Sequence, residues 1–167
     1  TNPVYIPFRS TTLATGTPVY ATLTSALSIA TPSSAATLGA TNAVPFRFWI
    51  VGLYNGTTLD IGIINCSTQS TTAAQIYTLN EGVLTTSTVL NGSSTAAGTV
   101  YSGTARTGFA MRILGYLDYS AGLTTAGTYA SSPTTVQIAG PGLKKPGEVI
   151  QRIQTSTTST TTVTAAT

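Results

Sequence analysis

Residues 46–64 read FRFWIVGLYNGTTLDIGII, and this stretch decides the fold. Two runs rich in aromatic and β-branched residues, 46–54 and 58–64, flank the pair Asn55-Gly56. Such side chains favour strands, and Asn-Gly is a strong hairpin signal because both residues tolerate a positive φ. The stretch therefore predicts an antiparallel β-hairpin whose first arm is a central strand.

The residues before this hairpin carry two further strand signals. Between Val19 and Ile29, apolar residues alternate with polar ones, and this period of two predicts a half-buried strand. The run Val4–Phe8 is flanked by prolines, which are tolerated mainly at sheet edges. It is therefore interpreted as either an edge strand or an arm that lies on a neighbouring molecule.

The residues after the hairpin repeat the pattern of short apolar runs separated by turn signals. Residues 72–79 are left open as a helical turn or an irregular loop. Within the last predicted strand, 127–139, we expect Tyr129, Val136 and Ile138 to face inward. Strands are predicted at 83–90, 99–102, 109–119 and 127–139. About eight short strands with regular turns predict an all-β fold, an antiparallel β-sandwich or jelly roll.

The composition indicates a β-rich protein with an uncharged, hydroxyl-rich surface. Charged residues make up 7% of the chain, compared with roughly 25% in an ordinary soluble domain. Thr and Ser are abundant, with 36 and 16 residues. The chain length of 167 residues is sufficient for one domain with a hydrophobic core. Such a surface suits a protein that works outside a cell and packs against copies of itself.

The net charge of +3 does not indicate a nucleic-acid partner. The basic residues are scattered singly along the chain except for Lys144-Lys145, whereas nucleic-acid binding needs a clustered basic face. No apolar run approaches the roughly 20 residues that cross a bilayer, so no membrane partner is expected either.

The residue inventory excludes several classes of enzyme. The chain has no histidine, which removes the Ser-His-Asp triad, Cys-His catalysis and the usual zinc sites. Its four acids have local explanations: Asp60 lies on the outward face of a hairpin strand, Asp118 ends a strand, Glu81 precedes a turn, and Glu148 pairs with Lys144 or Lys145. No catalytic, metal-binding or cofactor-binding residue is therefore predicted, and the protein is not expected to be an enzyme.

Two side chains with reactive or stacking chemistry are assigned to the core. Cys66 is the sole cysteine, so an intrachain disulfide is excluded, and it is interpreted as a small buried residue. Trp49 lies in the most apolar strand, which favours core packing over a role as a sugar-binding platform.

Two sets of residues are predicted to contact other molecules. Tyr116 and Tyr119 flank the Asp118 region and are expected to be exposed recognition residues, because aromatic rings stack on sugars and on partner surfaces. The contacts between copies of the chain are assigned to apolar residues in the two terminal segments: Val4, Tyr5, Ile6, Phe8, Val149, Ile150 and Ile153.

The chain divides into three parts. Residues 1–17 are interpreted as an N-terminal arm and residues 18–143 as the β-domain. Residues 144–167 form an exit elbow and a Thr/Ser-rich connector, because Pro and Gly interrupt regular structure and a hydroxyl-rich tract cannot build a core. The connector is expected to lead to a further module.

Several motifs resemble a module of tailed-phage tail fibres and related virion proteins. The resemblance covers roughly residues 44–155 and includes the Trp49 hairpin. Its motifs, in chain order, are YSGTART at 101–107, MRILGYL at 111–117, AGTYASSPT at 126–134 and GPGLKKPGEVIQ at 140–151. Tyr129 stands where this module usually has Trp, and residues 1–43 match no part of it.

The resemblance implies a non-enzymatic structural protein of a bacteriophage virion, either a tail fibre or a head- or tail-associated decoration. It further implies a β-sandwich that forms a homotrimer, contacts other virion proteins and presents a host-attachment surface, with no catalytic residue to transfer. A carbohydrate-binding adhesin module, with host-surface glycan as its partner, is the alternative. A depolymerase is disfavoured because histidine is lacking and acids are few.

Overall fold

The computed structural model describes residues 3–10, 17–30, 35–66 and 79–138. Across these residues the chain forms strands and loops and no α-helix. The strands are β1 (Val4–Arg9), β2 (Pro18–Leu23), β3 (Phe46–Tyr54), β4 (Leu59–Asn65), β5 (Leu84–Val89), β6 (Tyr101–Ser102), β7 (Arg106–Tyr119) and β8 (Thr135–Ile138). The predicted all-β class is confirmed.

The hairpin predicted from Asn55-Gly56 is present. Strands β3 and β4 pair antiparallel from Tyr54 opposite Leu59 to Phe48 opposite Asn65. Gly56 has φ 98°, and the Asn55 carboxamide oxygen accepts hydrogen bonds from the backbone N–H groups of Thr57 and Thr58 at 3.0 and 2.7 Å. The side chain of Asn55 thus replaces backbone partners within the turn, as Asn does in Asx-turns.

The six-stranded sheet closes on itself through β3. Its strand order is β3-β4-β6-β5-β7-β8, and β3 also pairs with β7. Five strands therefore form a closed circuit of hydrogen bonding, with β8 added at one side of β7. The β5–β6 pair is parallel, whereas the other pairs are antiparallel. Together with the two-stranded β1–β2 sheet, the arrangement is consistent with a β-sandwich.

Alternation along β3 separates two cores, because successive side chains point to opposite faces. Val51 and Leu53 belong to the first core, whose buried members are Val51, Leu53, Ile64, Cys66, Leu79, Val100, Phe109, Met111 and Ile113. Phe46 and Phe48 belong to the second core, whose buried members are Leu38, Ala40, Phe46, Phe48, Ile63, Tyr101, Tyr119 and Leu123. The burial of Cys66 matches its interpretation from the sequence.

A β-bulge on β7 shifts the register of its pairing with β3 by one residue. Ile50 lies opposite Gly115 and Val51 lies opposite Ile113, so Leu114 is the extra residue on β7. A bulge of this kind lets a long strand bend and twist more strongly. Strand β7 can therefore pair with β3 on one side and with both β5 and β8 on the other.

Strands β1 and β2 form a separate ribbon that packs on β3 and β7. Of the two interpretations of Val4–Phe8, the edge strand is the one observed, because this segment pairs antiparallel with β2. Phe8 is 2% exposed and packs with Ala21 and Ala110, and its ring lies 5.3 Å from that of Tyr54. Phe8 therefore belongs to the core of its own chain and is not accessible to a second copy, contrary to the sequence-based prediction.

Several predicted strands are shorter than expected, β2 and β8 most of all. Strand β2 ends at Leu23, whereas the alternating pattern extended to Ile29. Strand β8 covers Thr135–Ile138 alone within the predicted 127–139, and Val136 and Ile138, expected to face inward, are 60% and 71% exposed. They are exposed because β8 lies at the edge of the sheet, where no further strand among the described residues covers their side.

Tyr129 reaches the core without belonging to a strand. It has φ 46°, packs half-buried against the second core, and its hydroxyl donates a hydrogen bond to the Ala36 carbonyl at 2.8 Å. The described residues do not include 72–78, so the prediction for 72–79 is not tested there. They also do not include the exit elbow and the connector at 144–167.

Candidate recognition surface

Four side chains meet on the outer end of one face of β3 and β7. Arg47 lies directly opposite Asp118, and Trp49 lies directly opposite Tyr116. The antiparallel register places all four on the same face as the first core, at the end of the strands where that core stops. We call these four residues the platform.

An ion pair fixes the polar half of the platform. The Arg47 Nε donates to Asp118 Oδ1 at 2.6 Å and Nη2 donates to Oδ2 at 2.7 Å, a bidentate arrangement. The hydrogen bond to Asp118 is the main cause that raises the pKa of the Arg47 guanidinium, while partial burial opposes it. Since the two side chains are 36% and 25% exposed, solvent screens this pair only in part.

Aromatic contacts hold the other half. The Arg47 guanidinium carbon lies 3.8 Å from the centre of the Tyr116 ring and 5.2 Å from that of Trp49. The two rings meet edge to face, with centroids 5.3 Å apart and planes at 68°. Planar cations over aromatic faces are stabilised by the ring quadrupole, so Arg47 orients both rings. The result is a half-exposed surface that combines flat apolar rings with charged hydrogen-bonding groups.

The structure separates the two tyrosines that the sequence analysis grouped together. Tyr116 is half-buried on the platform and its role in recognition stays a prediction, whereas Tyr119 is 7% exposed. Tyr119 stacks on Phe46 at 4.7 Å with planes 12° apart, and burial raises its pKa. The prediction for Tyr119 is wrong because it follows Asp118 on the same strand and therefore points to the opposite face, into the second core.

Trp49 has a double role. It packs against the first core, as the sequence predicted, and it also forms part of the platform. The sequence analysis did not identify Arg47 as a recognition residue. The alternation within 46–49 could have suggested it, because Arg47 and Trp49 share a face that Phe46 and Phe48 do not.

The acids in the described residues are each paired. Asp60 was expected to face outward, but it is half-buried and accepts a hydrogen bond from Arg106 Nε at 2.8 Å. Glu81 accepts a hydrogen bond from the backbone N–H of Ile113 at 2.6 Å and lies 4.0 Å from Arg112. In this part of the chain no three His, Cys, Asp or Glu residues lie close enough to hold a metal ion.

The residues predicted to contact a second copy have different surroundings. Val4 and Tyr5 are 55% and 62% exposed, Ile6 is half-buried, and Phe8 is buried as described above. Tyr20, which the sequence analysis did not select, is 59% exposed. The other three predicted contact residues, Val149, Ile150 and Ile153, lie outside the described residues.

Searches for relatives do not identify a family. Neither protein-family models, nor curated protein sequences, nor solved structures match this chain. Within the described residues no helix has the length and apolar character needed to span a membrane.

Proposed function

We propose that this chain is a non-enzymatic structural protein of a bacteriophage virion, a fibre or decoration that assembles through contacts between copies of its β-domain. One observation carries the proposal. The β1–β2 ribbon buries one face on its own sheet through Phe8 and Ala21 and presents Tyr5 and Tyr20 on the other. Exposed tyrosines are enriched at protein interfaces because they combine a large apolar ring with a polar tip.

The register of the ribbon brings the two exposed tyrosines close together. Pro7 lies opposite Tyr20 and Tyr5 lies opposite Thr22, so Tyr5 and Tyr20 are diagonal neighbours on the same outer face. Diagonal neighbours in an antiparallel pair lie within reach of aromatic side chains. They form a compact apolar patch that a second copy of the chain would cover.

Two further features support this proposal. The charged fraction of 7% means that copies can approach one another with few charges to desolvate. In addition, the motifs at 101–107, 111–117 and 126–134 occur in the order found in the tail-fibre module they resemble.

The proposal is tested by the oligomeric state of the full chain. Sedimentation analysis should give a homotrimer for the wild type and a smaller species for Tyr5→Ser/Tyr20→Ser. Val44→Ser is the matched control, since Val44 is 43% exposed and precedes the Phe46 end of β3, whereas the ribbon packs against Tyr54 at the other end of that strand. A monomeric wild type would contradict self-assembly, and an intact trimer in the double variant would contradict the assigned surface.

A carbohydrate-binding module is the second candidate, and the platform favours it. Half-exposed rings beside an ion pair match the way proteins bind sugars, with stacking from the rings and hydrogen bonds from the charged groups. A glycan array should then give binding that Tyr116→Ala weakens at least about tenfold, or about 1.4 kcal/mol. Val83→Ala is the control, at a side chain that is 52% exposed and belongs to neither the platform nor the β1–β2 ribbon. Equal binding by both variants would exclude the platform as the sugar site.

A further inference from the structure

The β1–β2 ribbon is covered by its own domain at one end only. Its inner face is apolar along its length and carries three pairs of opposed side chains: Phe8 with Val19, Ile6 with Ala21, and Val4 with Leu23. Along β1 this face becomes steadily more exposed, from 2% at Phe8 through the half-buried Ile6 to 55% at Val4. The ribbon therefore projects beyond the surface it packs on, and its apolar face continues past the end of that packing.

Packing around Phe8 holds the ribbon on its domain. The Phe8 ring lies 5.3 Å from that of Tyr54 and packs with Ala110, and a Cβ on Gly52 would lie 3.0 Å from the Phe8 Cζ. Among the described strands, β1 and β2 pair with each other and with no strand of the six-stranded sheet. Side-chain contacts at the Phe8 end thus anchor the ribbon, while no described hydrogen-bonded strand fixes the end that carries Val4 to the larger sheet.

That other end of the ribbon exposes apolar groups on both faces. We call it the tip and define it as Val4 and Tyr5 of β1 with Thr22 and Leu23 of β2. Val4 and Leu23 lie on the inner face, whereas Tyr5 and Thr22 lie on the outer face beside Tyr20. None of these residues is charged, and Tyr5 is 62% exposed. An isolated two-stranded ribbon is only marginally stable in water, so a tip that stays paired out to Val4 and Leu23 requires cover from another surface.

We propose that a second copy of this chain covers both faces of the tip, so that the tip enters the neighbouring copy as an arm. This inference rests on the self-assembly proposed above and gives its geometry. Val4 and Tyr5 are consecutive residues that point to opposite faces of one strand, so a surface that covers Tyr5 also comes close to Val4. The inner face of the tip continues directly from the packing around Phe8, and the second copy therefore extends an apolar contact that already exists.

A second copy suits the tip because neither partner carries much charge. The tip is uncharged and 7% of the chain is charged, so a neighbouring copy offers a surface whose burial desolvates few ions. The contact joins two different surfaces, the tip of one copy and the receiving surface of the next. Such a heterologous contact closes into a ring such as a trimer. Two tips paired through their outer faces would instead leave both Val4 side chains in water.

Thiol labelling of the full chain tests this inference, because the sole native cysteine, Cys66, is buried. Val4→Cys places a thiol on the inner face of the tip, and Thr22→Cys places one on its outer face. We expect both thiols to react with a maleimide at least about tenfold more slowly in the assembled protein than in the Tyr5→Ser/Tyr20→Ser background, since contact with a second copy limits access.

Val44→Cys is the matched control for this labelling. Val44 is 43% exposed and lies just before β3, away from the ribbon, so its thiol should react at the same rate in both backgrounds. Sedimentation establishes that each cysteine variant still forms the wild-type oligomer. Leu23→Cys repeats the measurement on the inner face where Val4→Cys does not assemble.

The outcomes separate this inference from self-assembly. Protection of one face alone would overturn the inference, and where that face is the outer one, self-assembly through the ribbon would still stand. Slow labelling of Val4→Cys in both backgrounds would mean that its own chain covers the tip, which would also overturn the inference. Unprotected thiols on both faces of an intact oligomer would contradict both the arm and the assigned surface. A monomeric wild type would contradict self-assembly and this inference with it.

Discussion

Arg47 and Asp118 lie directly opposite each other on β3 and β7 and are joined by two hydrogen bonds, at 2.6 and 2.7 Å. The pair lies beyond the first core, on the face of β3 and β7 where the packing of that core stops. Removing either partner therefore affects the orientation of Tyr116 and Trp49 more than the packing of the core. Trp49 is the single tryptophan of the chain, so its fluorescence reports on this surface.

Asp118→Asn should loosen the platform. A neutral amide cannot accept both hydrogen bonds of the guanidinium, and the partly exposed pair should contribute about 1 kcal/mol to the free energy of unfolding. We expect a red shift of Trp49 emission together with this loss. A double-mutant cycle with Arg47→Gln, followed by urea unfolding, measures the coupling directly.

Asp60→Asn is the control for this prediction. It breaks the ion pair with Arg106, which lies far from Trp49 on the sheet. It should lower stability without changing Trp49 emission. Equal spectral shifts in both variants would contradict a local role for Asp118.

Gly115→Ala should detach β8 from β7. A Cβ at this position would overlap the Gln137 carbonyl oxygen and lie 3.0 Å from the Ile138 Cα, both of which are backbone atoms that cannot rotate away. Relieving the overlap requires the strands to separate, at a cost of about 2 kcal/mol. Faster amide exchange in Thr135–Ile138 should accompany the loss of stability.

Gly103→Ala serves as the comparison because a Cβ there meets no atom within 4 Å and its φ is not in the left-handed region. This substitution should leave stability unchanged or raise it by up to about 1 kcal/mol, since Ala restricts the unfolded chain. If the two variants lost the same stability, close packing at Gly115 would not be the cause.

A buried chain of hydroxyl groups should make Ser102 important for stability. The Arg106 N–H donates to Ser87 Oγ at 3.0 Å, the Ser87 and Ser102 hydroxyls lie 2.5 Å apart, and Ser102 donates to the Thr104 carbonyl at 2.7 Å. Each hydroxyl can thus accept one bond and donate one. Ser102→Ala leaves the Ser87 hydroxyl without its acceptor and removes this donor from the Thr104 carbonyl.

We expect Ser102→Ala to lower the free energy of unfolding by about 1–3 kcal/mol, because buried polar groups left unpaired are costly. Thermal or urea unfolding measures this change. Ser93→Ala, an exposed serine that bonds only within its own turn, should cost much less. A small loss in Ser102→Ala would mean that solvent reaches the site and replaces the missing hydroxyl.

Local patterns predicted the hairpin well and the edges of the sheet poorly. Asn55-Gly56 and the alternating runs around it define β3 and β4 because a hairpin depends on neighbouring residues. Tyr119 and Val136 were placed on the wrong side. Tyr119 alternates with Asp118 along β7 and therefore faces the second core, whereas the exposure of Val136 depends on whether a further strand lies beside β8, which local sequence does not specify.

The recognition surface, too, could be predicted from the sequence only in part. Tyr116 could be selected from sequence as an aromatic residue beside an acid, but its partners Arg47 and Trp49 lie far from it in the chain. The link between them is the β3–β7 register, a long-range pairing that local composition does not specify.

Alkaline pH should destabilise the protein through two tyrosines of the second core. Burial raises the pKa of Tyr119, and burial together with the nearby Tyr119 raises that of Tyr129. Both groups thus hold their protons more tightly in the folded state than in the unfolded state, where tyrosine has a pKa of about 10. Their contribution is fully present below about pH 10 and is lost as the pH rises, at up to about 1.4 kcal/mol per pH unit for each tyrosine.

Tyr129→Phe isolates one of these contributions. The variant loses the hydrogen bond to the Ala36 carbonyl and should be about 1 kcal/mol less stable at neutral pH. Above pH 10 its stability should nevertheless fall less steeply than that of the wild type, because one titrating group is gone. Urea unfolding at several alkaline pH values measures both effects, and parallel pH profiles for the two proteins would show that Tyr129 ionises as readily in the folded chain as in the unfolded one.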